Sequence, residues 1–179
     1  GSVIELFSIQ LNTALHGANT LYRFHNGANL NANGEVVWAG NSYLRFPIDC
    51  SGFEFGSTGT LPRPKISISN IFGTITAIMQ DVNETTVGND LNGATFTRIR
   101  TLARYLDAAN FTGGTNPFGT PDPTAEFPQE IYFLDRKVTE TRDIVTWEAQ
   151  SALDLVNVKL PQRIATKDIF PGIGAFLGF

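Results

Sequence analysis

Short runs of β-branched and aromatic residues, separated by turn signals, predict β-strands in the first part of the chain. Val3 to Leu11 and Thr20 to Phe24 are two such runs, and the second ends at the turn signal His25 to Gly27. Val36 to Trp38 and Ser42 to Ile48 follow, with another glycine-containing turn between them. This order of strands and turns predicts a β-meander.

The middle and later parts of the chain mix strand and helix periodicity. Lys65 to Ser69 alternates apolar and polar residues, as a half-buried strand does, whereas Ile71 to Val82 has nearly helical spacing and predicts a short helix or irregular turn. Ala94 to Leu106 fits both periods, but its β-branched residues favour a strand. Glu130 to Thr139 and Arg142 to Ser151 predict a hairpin.

Two segments do not fit a regular element. Asn110 to Pro128 contains four of the nine prolines and predicts a long ordered loop, while Ile169 to Phe179 is apolar and glycine-rich. We therefore predict an all-β fold, a barrel or sandwich of mostly antiparallel strands with one long Pro/Gly-rich loop and at most a short helix. The predicted organisation is one β-rich domain over residues 1–168 and an apolar tail over 169–179.

Composition narrows the possible classes of function. The 179 residues are 42% hydrophobic and 17% charged with a net charge of -4, so neither a disordered chain nor a basic nucleic-acid binder is expected. No apolar run approaches the roughly 20 residues of a membrane-spanning helix, and we expect a soluble chain without specific nucleic-acid contacts. The single cysteine, Cys50, excludes an internal disulfide and a cluster of thiolate ligands in these residues.

Candidate chemical sites are weak. Asp81, Asn83 and Thr85 have the spacing of a calcium loop, but the sixth position is not glycine and the twelfth is not glutamate. His16 and His25 lack neighbouring Cys or His residues and are interpreted as surface or turn histidines. Acidic pairs in the proline-rich loop are typical of solvated turns. We predict no enzyme activity, no cofactor and no metal site.

Arg98, Arg100 and Arg104 form the basic cluster of the sequence. Their simplest role is to cover a sheet face with their aliphatic stems and to pair with acidic residues. The functional alternative is contact with an acidic partner chain or with DNA.

Several segments, taken in order, resemble the N-terminal region of the phage minor tail protein L family, found in the tail tip of phages with long non-contractile tails. They run from Leu21 to Arg163 and are LYRFHNG, VVWAGNSYLRFPI, GFEFGSTGTLPRPKISISN, RIRTLARYLDAANF, NPFGTPDPTAEFPQEIYFLDRKVTET and LPQR. The family typically continues into a cysteine-bearing domain that resembles an iron–sulfur site. Asp168 to Phe170, where its first cysteine is expected, contains none, so no cluster is carried over.

The resemblance implies a structural protein of a siphophage tail tip or baseplate, located in the virion and in the host cytoplasm during assembly. Its implied partners are the distal tail ring and the central hub and fibre, and a homo-oligomer is expected, threefold in preference to sixfold. The two prolines at 62 and 64 would fix a stiff corner before the next strand. The candidate interface residues are Pro62, Arg63, Pro64, Arg98, Arg100, Arg104, Asn116, Pro117, Phe118, Phe170, Phe176 and Phe179.

Two alternatives stay open at this point. A carbohydrate- or receptor-binding β-sandwich of a phage tail would use Trp38, Tyr43 and Phe46 as a stacking platform. A cell-wall hydrolase is the weakest hypothesis, because no acid/base or metal set converges in the sequence.

Overall fold

The computed structural model describes residues 3–27, 34–52 and 63–151. They form strands and helices in the order β1 (Val3–Gln10), α1 (Thr13–His16), β2 (Leu21–His25), β3 (Val36–Trp38), β4 (Asn41–Arg45), β5 (Ile48–Ser51), β6 (Lys65–Ser69), α2 (Thr74–Thr85), β7 (Thr95–Leu102), β8 (Glu130–Glu140) and β9 (Ile144–Ser151). Short 3-10 turns at Ile71–Gly73, Ala103–Tyr105, Ala108–Asn110 and Thr112–Gly114 complete the described elements.

The nine described strands make one sheet in the order β3-β4-β2-β1-β7-β8-β9-β6-β5. Its paired strands are antiparallel except β2 and β4, which are parallel. The predicted meander is therefore wrong at β2, which pairs with β4 and β1 and not with β3. The physical reason is that β3 and β4 form their own tight hairpin, and the second strand of that hairpin then lies beside β2.

The sheet curls because the chain joins its two ends. Only Phe46 and Pro47 separate β4, near one end of the strand order, from β5 at the other. Hydrogen bonds tie β2 and the residues after it to this junction: the Phe46 N–H donates to His25 O at 3.1 Å, and Asn26 Nδ2 donates to Ile48 O at 2.6 Å. The strands approach a barrel without forming a closed one among the described residues.

Both faces of the central strands are buried. Phe7 and Ile9 of β1 and Phe96 of β7 lie in an inner core beneath α2, while Leu6 and Ile99 point to the opposite face and lie in an outer core. The inner core also contains buried residues of β2, β5, β6, β8 and β9, and the outer core is completed by Val36, Trp38, Tyr43 and Leu106. Burial on both faces explains why apolar residues occur at consecutive positions of β1.

The helix α2 covers one end of the inner core. Its buried residues are Ile75, Met79 and Val82, three of the positions whose spacing predicts a helix. Gly73 at the N-cap has no capping side chain, and Asn70 supplies this function because its Oδ1 accepts the N–H groups of Ile75 and Thr76 at 3.0 and 3.1 Å.

The predicted fold class is confirmed as an all-β fold of mostly antiparallel strands with a short helix. The predicted strand over the Ala94 to Leu106 region and the predicted C-terminal hairpin are confirmed as β7 and as β8 with β9. None of the described helices is long and apolar enough to cross a membrane. The proposed tail, 169–179, lies outside the described residues.

Candidate interface surfaces

The long loop between β7 and β8 is fixed to the outer face of the sheet by side chains. Asn110 is buried and replaces a neighbouring strand for Val37, because its Oδ1 accepts the Val37 N–H and its Nδ2 donates to Val37 O, both at 2.7 Å. The two carboxylate oxygens of Asp107 accept the N–H groups of Ala39 and Gly40 at 2.9 and 2.8 Å. The loop thus blocks the β3 edge at Val37 and holds the β3–β4 turn.

A second buried amide organises the outer part of this loop. Asn116 Nδ2 contacts three carbonyl oxygens, those of Ala103, Arg104 and Leu106, at 3.1–3.2 Å, and its Oδ1 accepts the Phe118 N–H at 2.8 Å. These bonds bring Arg104 next to Pro117 and Phe118, three of the predicted interface residues. We call Arg104, Pro117 and Phe118 the loop surface.

Phe118 is the exposed aromatic residue of the loop surface. Its ring makes an edge contact with Phe111, with centroids 5.8 Å apart, and 63% of the residue remains exposed. Phe111 is partly buried and packs against the outer core, so the exposed ring of Phe118 is supported from below. Arg104 lies over the Tyr105 ring, 4.9 Å from its centroid. Asn116, also a predicted interface residue, is buried and positions this surface from below.

Arg98 and Arg100 lie elsewhere, in a charged row on the face that carries the inner core. Arg98 donates to Glu5 Oε2 through Nε and Nη2 at 2.9 and 2.6 Å, and to Glu130 Oε1 through Nη1 at 3.1 Å. Arg100 Nη2 lies 3.4 Å from the same Glu130 oxygen. The row therefore contains two cations and two carboxylates in mutual contact. This is the pairing expected from the simpler interpretation of the arginine cluster, and Arg104 is not part of it.

The residues before β6 behave differently from one another. Arg63 is exposed, with Nη1 3.8 Å from Asp135 Oδ2, whereas Pro64 is buried and its carbonyl oxygen accepts the Ala149 N–H at 2.9 Å. Pro64 therefore fixes the start of β6 against β9. The remaining predicted interface residues, Pro62, Phe170, Phe176 and Phe179, lie outside the described residues.

The described part of the chain offers little reactive chemistry. Burial raises the pKa of the Cys50 thiol to about 12, so the thiolate needed for nucleophilic or redox chemistry is not formed near neutral pH. Among the described residues no group of three or more His, Cys, Asp or Glu side chains could hold a metal ion. Asn83, in the calcium-like segment, instead accepts the Asp90 N–H and donates to its carboxylate.

The aromatic platform of the carbohydrate-binding alternative is not present as a surface. Trp38 and Tyr43 are only 2% and 4% exposed and belong to the outer core. Phe46 is partly buried against Phe24, with ring centroids 5.3 Å apart, and packs on the inner core. Because stacking on a sugar needs exposed ring faces, this hypothesis loses its proposed site.

Both histidines were predicted to be surface or turn residues, and for surface exposure this is wrong. His16 and His25 are 3% and 0% exposed. Each ring accepts a backbone N–H at Nδ1, from Asn12 and Gly27 respectively, and each places Nε2 within 3.0 Å of a carbonyl oxygen. Each ring therefore satisfies two backbone groups, one at each of its nitrogens.

We expect His25 to make stability depend on pH. Burial is the main effect that lowers the pKa of His25 below its usual value. The hydrogen bond to Gly34 raises this pKa, and the charge of Arg45 lowers it further. The unfolded chain binds the His25 proton at a higher pH than the folded chain does. The contribution of His25 to the free energy of unfolding is therefore complete above about pH 6.5, falls as the pH drops to the folded-state pKa and then levels off. Chemical denaturation at several pH values checks this, and His25→Gln should flatten the slope below pH 6.5; an unchanged slope would contradict it.

Sequence reasoning missed the residues that fix the loop. Asp107 and Asn110 occur in a stretch whose only local signal is turn-forming side chains, and nothing in the pattern shows that their partners are Val37, Ala39 and Gly40. These partners are far apart in the sequence: Asn110 and Val37, for example, are separated by 73 positions. They can be identified only once the strand order is known.

Two comparisons with known proteins indicate the same family. The chain is 39% identical over 93 residues to tail tip protein L of Escherichia phage lambda, and this alignment covers 51% of the chain and 37% of that relative. The chain thus spans well under two thirds of the relative's length. The sequence profile described as phage minor tail protein L matches residues 13–172. The chain belongs to the phage minor tail protein L family.

Proposed function

We propose that this chain is a non-enzymatic structural component of a siphophage tail tip that joins the end of the tail tube to the central hub and fibre. Membership of the minor tail protein L family supports a structural role in a phage tail. The observation that carries the finer proposal is the loop surface, where an exposed phenylalanine is held on a loop fixed by buried amides.

A fixed, exposed aromatic residue suits a protein interface. Phe118 has its backbone N–H bonded to Asn116 and its ring supported by Phe111, so little conformational freedom would be lost when a partner covers it. Aromatic and arginine side chains are also the residues that contribute most to binding free energy at interfaces. Arg104 beside Phe118 provides both types on the loop surface.

The proposed partners are other tail proteins, namely the distal tail ring and the central hub or fibre. A closed homo-oligomer within the tip, threefold in preference to sixfold, is part of the proposal because most soluble homo-oligomers have closed symmetry. The proposed location is the virion tail tip, after assembly in the host cytoplasm. The segment 169–179 is proposed as a second contact, since its sequence is apolar and contains three phenylalanines.

Phe118→Ala should impair assembly without unfolding the domain. Substitution of an exposed side chain usually changes the free energy of unfolding by no more than about 0.5 kcal/mol. Truncation of an aromatic anchor, in contrast, weakens binding by roughly 2–4 kcal/mol. We expect a fall of tenfold or more in infectious particles when a phage lacking this gene is complemented with the variant.

The matched control is Leu44→Ala, which removes an apolar side chain that is 49% exposed on β4, outside the loop. Wild-type titres with Leu44→Ala and reduced titres with Phe118→Ala support the loop surface as an interface. Full titres with Phe118→Ala would remove it from the proposal.

A further inference from the structure

The Asn26–Gly27 step lies directly after β2, beside the junction that joins the two ends of the sheet. Both residues are exposed, and apart from its chain neighbours no described atom lies within 4 Å of the position that a Cβ of Gly27 would take. Asn26 Nδ2 donates to Ile48 O at 2.6 Å and so helps to hold β2 at the start of β5. The step is therefore open to water and is also part of the junction.

An asparagine followed by glycine can react with its own main chain, because glycine has no side chain to hinder the approach. A bond forms between Gly27 N and Asn26 Cγ, and the bond between Cγ and Nδ2 breaks. Nδ2 leaves as ammonia, taking the proton that the glycine nitrogen loses. Water then opens the cyclic imide at either carbonyl, which leaves an aspartate or an isoaspartate, and the ammonia takes up the proton of the new acid.

The fold places an acceptor for this proton at the attacking nitrogen. The Gly27 N–H donates to His25 Nδ1 at 3.2 Å, and a general base must lie within roughly 2.6–3.2 Å of the group whose proton it takes. The ring is held in place, since it is 0% exposed and its Nε2 lies 2.8 Å from Gly34 O. Burial lowers the pKa of His25, so the ring is unprotonated near neutral pH and can accept the proton.

A second step of the same composition, Asn92–Gly93, is in a protected environment. The Gly93 N–H donates to Leu134 O at 2.7 Å, and a backbone carbonyl does not serve as a base. A Cβ at Gly93 would lie 2.6 Å from Leu15 Cδ1, so the residue is tightly packed. Asn92 Oδ1 is also buried. The attack at this step would require Gly93 to leave its hydrogen bond and its packing.

We propose that Asn26–Gly27 is a site of spontaneous deamidation in the folded chain, with His25 as the proton acceptor, and that the product loosens the junction of the sheet. This inference does not depend on the proposed function. A carboxylate at position 26 has no proton to donate to Ile48 O and repels this oxygen, so the bond at 2.6 Å is lost. An isoaspartate also adds a methylene group to the main chain next to His25, whose carbonyl oxygen accepts the Phe46 N–H.

The test is a time course of deamidation in the purified full chain at neutral pH and physiological temperature. Mass spectrometry of fragmented peptides measures the rates at Asn26 and Asn92 separately, in the folded chain and in urea. We expect the folded chain to react at least tenfold faster at Asn26 than at Asn92, and the two rates to become similar in urea. Equal rates in the folded chain, or a difference that persists in urea, would overturn the proposed site.

The same time course tests the role of His25. The reaction at Asn26 should be at least as fast in the folded chain as in urea, because only the fold holds the ring at Gly27. A slower reaction in the folded chain would remove His25 from the proposal. Gly27→Ala should slow the reaction at Asn26 tenfold or more without a change in melting temperature, since the added methyl group hinders the attack but meets no described atom of the fold. An unchanged rate in Gly27→Ala would contradict the reaction through the main-chain nitrogen.

Asn26→Asp tests the effect of the product on the junction. The matched control is Asn41→Asp, which makes the same change of charge at an exposed residue at the start of β4. We expect Asn26→Asp to melt about 2–4 °C below Asn41→Asp, because it loses the hydrogen bond to Ile48 O. Equal melting temperatures of the two variants would show that deamidation leaves the junction intact and would overturn this part of the proposal.

Discussion

Trp38→Ala is expected to lower the free energy of unfolding by about 3–5 kcal/mol, because truncation of a buried tryptophan loses apolar burial and leaves a cavity. Trp38 is 2% exposed, in the outer core with Leu6, Ile99 and Leu106. For a chain of this size the corresponding fall in melting temperature is about 6–20 °C. Thermal and chemical denaturation measure it.

The same substitution separates a core residue from a ligand platform. If Trp38 stacked on a sugar or receptor, its loss would weaken binding and leave stability nearly unchanged. Trp38→Phe is the matched control, because it retains an aromatic ring in the outer core and should recover more than half of the lost stability. A Trp38→Ala protein as stable as the wild type would contradict the packing described above.

Asn110→Ala is expected to destabilise the protein by about 2–4 kcal/mol and to loosen the long loop. The substitution leaves the Val37 N–H and C=O without the partner that each has at 2.7 Å, and also removes a donor to Asp107 O at 2.9 Å. Because buried backbone groups without partners are costly, water is expected to enter between the loop and β3.

Loop opening can be followed by trypsin cleavage after Arg104, which lies within the loop. We expect Asn110→Ala to be cut at least tenfold faster at this bond than the wild type. The control is Asn41→Ala, which removes an exposed asparagine at the start of β4. Equal cleavage rates for Asn110→Ala and the wild type would show that the loop is held by other contacts.

Residue types and their spacing within a segment correctly predicted β7, α2 and the hairpin of β8 and β9. The β-branched Thr95, Thr97 and Ile99 outweighed a competing helical spacing and correctly indicated a strand, since these side chains pack well on a pleated surface. The apolar spacing of α2 likewise predicted a helix correctly, because one face of the helix packs on the inner core. Turn residues between β8 and β9 correctly predicted their hairpin.

Features that depend on distant pairing could not be predicted. The parallel contact of β2 with β4 arises because the sheet curls and the chain joins its ends, and no turn signal encodes that arrangement. The burial of His16 and His25 depends on backbone groups that the fold brings to each ring. A histidine in a turn has the same sequence context whether it is solvated or enclosed.

The candidate interface stays a prediction, and only the placement of its residues can be compared with the sequence pattern. Pro117 and Phe118 belong to a proline-rich loop that is exposed as its composition suggests. Side chains alternate between the two faces of β7, and this places Arg98 and Arg100 on the inner face. Acidic residues of neighbouring strands pair with them there.

Immunogold electron microscopy of purified phage particles, with an antibody raised against this chain, tests the central claim most directly. The proposed function predicts gold at the distal end of the tail, including in particles treated with detergent to loosen the tip. Particles that never label, and in which mass spectrometry finds no trace of the chain, would contradict a role as a structural component of the tail tip.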